Sequence, residues 1–289
     1  MNATRFKLMK FDMESMLPHA AIVMIARRGS GKSWVCRDIL YHLRHIPGGV
    51  VIAPTDKMNS FYKHFFPDLF IHYDFESGIL NKVLTRQALM LIKEKEKAKR
   101  HLKVDPSGIL IMDDCLASKK KWSSDENIST IMMNGRHYKL TYILTMQTPL
   151  GITPDLRLNF DYVFLLKEDS AINIKKLWDN YASMFPSMAA FDKVFKKCTS
   201  DHNCMVIDNR KATDTIQEKV FWYLAEDRKF AFGSKEFINI HKKYYDPNYQ
   251  KKEIEKRIQM ANNTGLFKKK NEINIEVEKI VENKKKKTK

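Results

Sequence analysis

No stretch of about 18 uncharged apolar residues occurs in the 289-residue chain, and a membrane-spanning helix needs about that length. No membrane insertion is therefore expected. The opening MNATRFKLMKFDMESM lacks the apolar centre of a secretory signal, so a soluble, intracellular, non-secreted chain is expected. Cysteine is scarce: Cys36, Cys115, Cys198 and Cys204 show no C-x-x-C pair, which argues against a disulfide scaffold and a paired-thiol zinc or redox centre. Cys198, His202 and Cys204 lie close together, but three ligands without a fourth make a poor structural metal site. No internal repeat is present. Acidic residues are the minority, 34 against 51 Lys and Arg, giving a formal charge of +17. Such a field favours polyanions, nucleic acid above all. Residues 268–289 hold nine Lys and four Glu, +5 of the +17, leaving +12 on the remainder. The basicity is thus not confined to the tail, which by itself reads as a solvated end.

What is present is enough apolar residue, 44%, to bury a core of one large domain with appendages. Short β-rich runs alternate with helical patterns, which predicts an α/β fold with a mainly parallel sheet covered by crossover helices. Strands are expected at residues 20–25, 48–55, 108–115, 141–148 and 161–168, with a sixth at 203–210. Each is short and apolar, as buried parallel strands are. Residues 86–103, with Glu and Lys spaced for i,i+4 pairs, predict a surface helix. Helices are also expected at 172–185, where Leu177, Trp178, Tyr181 and Phe185 share an apolar face, and at 188–197. The aromatics of that face read as core. The organisation expected is an extension over residues 1–15, one domain over 16–246, and a basic tail over 247–289 that begins as a helix and continues as a flexible end.

The strongest motif is ARRGSGKS, residues 26–33, which lies between the apolar run AAIVMI and the helical pattern WVCRDILYHL. A phosphate-binding loop requires that order of strand, tight loop and helix: backbone N–H groups wrap the phosphates and the helix N-terminus adds its positive end. Ala26, Arg27, Arg28, Gly29, Ser30 and Gly31 form the loop, and Lys32 and Ser33 supply the ammonium and the hydroxyl. The pattern G-x-x-x-x-G-K-[ST] has Ala26 at its first position. That is harmless if φ stays negative there, since Gly29 and Gly31 still provide permissive backbone. A plain strand-to-helix turn leaves the ordered Gly-Lys-Ser unexplained.

The strand at 108–115 carries Asp113 and Asp114 near its end. Asp113 is expected to help hold Mg²⁺, usually through water, and Asp114 to orient, or take a proton from, the water that attacks the γ-phosphate of a bound nucleotide. Asp114 is one methylene shorter than the Glu that many such enzymes carry. Gln147, at the end of the strand 141–148, would face the crevice where open α/β sheets bind ligands and would sense the γ-phosphate. Arg136 and Arg157 precede the fourth and fifth strands. For each, a local salt bridge and a role on a neighbouring subunit's nucleotide stand as alternatives, with Arg136 ranked first.

Taken together, ARRGSGKSW, ILIMDD, NGRHYKL and TYILTMQTP, followed by an R-x-N-x-D-Y-V-F-L-L strand, resemble the poxvirus-type DNA-packaging ATPases of large nucleocytoplasmic DNA viruses, in the FtsK/HerA superfamily. The likeness spans roughly residues 11–224. It implies a RecA-like P-loop NTPase core with helices on both faces and the Gln147 strand between the phosphate-loop and acidic strands. It further implies ATP and Mg²⁺ as cofactors, a homo-oligomeric ring of six or five subunits, and ATP-driven movement of double-stranded DNA into a capsid. Partners would be double-stranded DNA and a capsid or portal component, and the location the viral factory in the host cytoplasm and the virion. The likeness gives Lys32 and Ser33 the phosphate and Mg²⁺, Asp113 the metal, Asp114 the water, Gln147 sensing, and an arginine a role in trans. Ala26 and Asp114 are its departures from the pattern. Two other readings stay open: a nucleoside or nucleotide kinase, which needs no water-activating second carboxylate, and a DNA-binding protein that binds nucleotide without hydrolysing it.

Overall fold

The computed structural model describes residues 7–115 and 125–263, and the chain divides into two contact units, Met1–Tyr245 and Asp246–Lys289. The first is built on one nine-stranded sheet. In chain order its strands are β1 (Met9–Lys10), β2 (Ala21–Ile25), β3 (Gly49–Ile52), β4 (Ile71–His72), β5 (Gly108–Asp113), β6 (Leu140–Met146), β7 (Tyr162–Leu165), β8 (Cys204–Asp208) and β9 (Val220–Tyr223). Their spatial order is β1-β9-β8-β7-β2-β6-β5-β3-β4. β7, β2, β6, β5, β3 and β4 run parallel. The expected strand at 203–210 is instead reversed: β8 pairs antiparallel with both β7 and β9.

Side chains alternate across this sheet and feed two cores. Val23 and Ile25 of β2, with Leu110 and Met112 of β5, pack on one face against Ile79, Leu80, Ile128, Ile131, Ile174 and Phe191. Ile22 and Met24, with Ile109 and Ile111, pack on the other against Val35, Ile39 and Leu40 of helix α1 (Lys32–His42) and against Phe66 and Phe237. Both faces are covered by helices, as the continuous apolar character of the central strands requires. Gly49 permits the close β3–β5 approach, since a Cβ there would lie 2.4 Å from the Ile109 carbonyl oxygen.

Three strands escaped the sequence reading. β1 and β4 have two residues each, and β9 lies in a run, VFWY, that follows polar residues. Through β1, residues 9 and 10 pair with β9, and Phe11 and Met13 are buried, so this part of the N-terminal stretch is continuous with the sheet. The helix expected at 86–103 spans Ser77–Ala98. Its first turns contain weak helix formers but bury Ile79, Leu80 and Val83, and packing overrides propensity there. Its last turn gives way at His101, whose φ is 57°. The helices at Ala171–Tyr181 and Met188–Cys198 agree closely with expectation, and Leu177, Tyr181 and Phe185 are core residues. In the second unit Tyr249–Asn263 is helical; the Lys-rich segment 268–289 lies outside the described residues.

Candidate functional site

The carboxyl ends of three adjacent strands converge. β6 lies between β2 and β5, with Ile25 opposite Met146 and Asp113 opposite Thr145. The phosphate-loop strand, the Gln147 strand and the acidic strand therefore end side by side, where ligands of open parallel sheets bind. The loop leaves β2 at Ala26, which is buried and whose N–H donates to the Met146 carbonyl at 2.9 Å. The φ of Ala26 is not positive, whereas Gly29 and Gly31 take φ of 78° and 91°. A Cβ at either glycine would meet no atom within 4 Å. The glycines thus serve backbone conformation, and the space above them is open for phosphate oxygens. Ser30 Oγ closes the turn on the Arg27 carbonyl (2.7 Å). Arg27 pairs with Asp169 (2.6 Å) and Arg28 is exposed.

Gly31 caps α1 with no side-chain bond to the first N–H groups, so these remain free for an anion. Lys32 and Ser33 are the first two residues of that helix. Lys32 Nζ lies 3.2 Å from Asp113 Oδ1, with only 13% and 8% of the two side chains exposed. Asp113 shares its side of β5 with Ile109 and Ile111, the side covered by α1. Thr145 is the residue that sequence reasoning passed over. Its hydroxyl donates to Asp113 Oδ1 and accepts the Asp114 N–H at 3.1 Å, fixing both acids at once. Strand register alone brings it there, and register is not legible in a single sequence.

Asp114 stands half-buried just past β5 with φ of 54°, a conformation that Asp tolerates better than most residues. The turn aims its carboxylate across to β6, where Gln147 Nε2 donates to Asp114 Oδ2. The proposed water-activating acid and the proposed sensor are thus in direct contact. Tyr62 and Cys36 were not foreseen either. Burial, with the Asp113 charge beside them, holds the Tyr62 hydroxyl well above its usual pKa and pushes the Cys36 thiol up to about 12. Both stay neutral, and the Tyr62 hydroxyl lies 3.5 Å from Cys36 Sγ. Asp56, the first residue of the short helix Asp56–Asn59 that follows β3, is buried and accepts the N–H groups of Phe61 and Tyr62; burial raises its pKa.

Among the described residues no group of three or more His, Cys, Asp or Glu gathers to hold a metal, and the four cysteines are buried. Cys198 and Cys204 thus join no metal cluster within those residues. Ser33 and Asp113 are a donor set suited to Mg²⁺, which takes few protein oxygens and fills its shell with phosphate and water.

The two arginines lie elsewhere. Arg136 sits at the amino ends of the strands, where it pairs with Asp161 Oδ1 while Asp161 Oδ2 accepts the N–H of Ala21, the first residue of β2. Five-residue β2 separates it from the phosphate loop of its own chain by about 13 Å. A recess of about 340 Å³ opens beside it, lined by His19, His137 and Asn159 among others. Its side chain remains 57% exposed. Arg157 is half-buried and bonded to Asn180 of the helix Ala171–Tyr181.

No family model matches the chain. An uncharacterised protein of Acanthamoeba polyphaga mimivirus is 61% identical over 278 residues, which cover 96% of this chain and 97% of that one. An uncharacterised protein of Invertebrate iridescent virus 6 is 35% identical, covering 80% of this chain and 88% of that one. The genome-packaging NTPase of Sulfolobus turreted icosahedral virus 2, solved with AMPPCP, superposes with a TM-score of 0.51 at 16% identity, over 73% of this chain and the whole of that one.

Proposed function

Since the chain belongs to the family of large-DNA-virus proteins that includes these mimivirus and iridescent-virus relatives, and has the fold of the FtsK/HerA-type viral packaging ATPases, we propose that it is an ATP-hydrolysing motor that moves double-stranded DNA into a capsid. One observation carries the reading: Lys32, Asp113, Asp114 and Gln147 meet at the carboxyl ends of three neighbouring strands. Lys32 and the loop N–H groups bind the β- and γ-phosphates. Mg²⁺, held by Ser33 and through water by Asp113, would neutralise phosphate charge when bound. Asp114 orients the attacking water, and Gln147, already bonded to it, reports on the γ-phosphate. The net positive charge suits a sequence-independent grip on DNA phosphates. Residues 16–246 form the motor domain in this reading, and the tail, 247–289, adds positive charge. The partners are further copies of this chain in a ring and a capsid or portal component, at work in the viral factory.

The test is the dependence of hydrolysis on added molecules. Double-stranded DNA is expected to raise phosphate release from ATP, with the effect weakening as salt rises. Phosphate transfer that instead requires a nucleoside acceptor would assign a kinase.

Arg136 lies too far from its own phosphate loop to touch that loop's nucleotide, so its proposed role is on the neighbour's. Arg136→Ala is then expected to lower hydrolysis, by about 10³-fold if it stabilises the transition state as such arginines do. Mixing it with a Lys32→Ala partner should restore part of the activity, because the two defects then fall on different interfaces. Intact rings without rescue at any ratio would return Arg136 to its Asp161 ion pair.

A further inference from the structure

Trp34 follows Ser33 directly in the first turn of α1 and is 48% exposed. Large aromatic rings are mostly covered in folded chains, and Tyr62, Phe65 and Phe66, in the core that α1 packs on, are buried. The indole is also held in place. Arg37, one turn along α1, puts its Cζ 5.3 Å from the Trp34 ring centroid and 5.9 Å from that of Phe65. That guanidinium is itself fixed: Nη2 donates to the Arg228 carbonyl at 2.7 Å and Nη1 pairs with Asp227 at 2.8 Å. One face of the indole therefore rests on an anchored cation, and the exposure belongs to the rest of the ring.

We propose that Trp34 is the stacking platform for the purine base of the nucleotide whose phosphates the loop binds. The placement follows from the helix: Trp34 is one residue, about 1.5 Å of rise and 100° of turn, beyond the hydroxyl assigned to the metal–phosphate end. A nucleotide gripped at that end by Lys32 and Ser33 extends its nucleoside past the first turn of α1. An aromatic ring offers a base its face without reading base edges. The platform thus accepts adenine and guanine alike, and the two-ring purines gain more overlap than pyrimidines. Cation–π contact with Arg37 keeps the ring oriented beforehand, which lowers the ordering cost of binding.

This rests on the ATPase reading, and the test separates the two. Binding of ATP and of inorganic tripolyphosphate, each with Mg²⁺, is measured by titration calorimetry on the full chain and on Trp34→Ala and Trp34→Phe. Tripolyphosphate carries the phosphates without a base. Trp34→Ala is expected to weaken ATP by about 10- to 100-fold, the range of one lost base–aromatic stack, and to leave tripolyphosphate unchanged. Trp34→Phe should keep most of the ATP affinity. ATP affinity unchanged in Trp34→Ala overturns the proposal, whether or not assembly of the chain is altered, and so does an equal loss for both probes, which would place the ring's effect on the loop. A wild-type chain that binds neither probe overturns the ATPase reading and the platform with it.

Discussion

Lys32→Ala is expected to lower ATP hydrolysis by at least about a hundredfold, on the scale of deleting one preorganised donor to developing charge. Among the described residues the ammonium is the side-chain cation that pairs with Asp113 at the head of α1. Ala retains the helix but removes the charge that offsets the triphosphate. A second effect goes with it. The Lys32–Asp113 pair is largely buried, and removing the ammonium leaves the Asp113 carboxylate without its counter-ion, at a cost of about 3 kcal/mol in stability. A lower melting temperature is therefore expected alongside lost phosphate release, and circular dichroism and a phosphate assay read the two separately. Undiminished hydrolysis in a folded Lys32→Ala chain would exclude the loop as the fuel site. Abolished hydrolysis would exclude a protein that binds nucleotide without turning it over.

Asp114→Asn is expected to bind ATP with near-normal affinity and to lose turnover by about 10²- to 10⁴-fold, the usual contribution of a positioned general base. The substitution preserves size, and the backbone N–H of residue 114 still reaches Thr145 Oγ1. What disappears is the negative charge that orients water and that Gln147 now contacts. Binding by calorimetry and single-turnover phosphate release distinguish this from a structural loss. Near-normal turnover would move the base elsewhere. The positive φ at residue 114 makes Asp114→Gly a useful companion, since glycine adopts that conformation without strain.

Much of the parallel core was legible in the sequence, because buried parallel strands are continuous apolar runs and the loop motif fixes one strand–helix junction. Residues 20–25, 108–115 and 141–148 contain β2, β5 and β6 nearly whole. The reversal of β8 was not legible. An antiparallel strand buried on both faces, CMVID, has the same composition as a parallel one. The two-residue strands β1 and β4 exist only through their partners. The same limit applies at the site. Lys32, Asp113, Asp114 and Gln147 announce themselves by position in motifs, whereas Thr145 matters because it lies opposite Asp113 in the ladder. Tyr62 and Asp56 are brought beside Asp113 by the chain after β3, which carries no motif. Arg136 illustrates the converse. Sequence order set it just before β6, and only the fold places it at the far end of the sheet from its own loop, bonded to Asp161.

The ion pair between Lys32 and Asp113 also bears on the order in which ligands arrive. Each group is the other's counter-ion at 3.2 Å, so the pair is electroneutral and offers little pull on a lone divalent cation. A triphosphate that draws Lys32 away uncovers the carboxylate at the moment when metal charge is wanted. Nucleotide and metal affinities would thereby be linked, each raising the other by the same factor. On the proposed ATPase reading the chain would take the two together, as one magnesium–nucleotide species, and would bind either by itself more weakly.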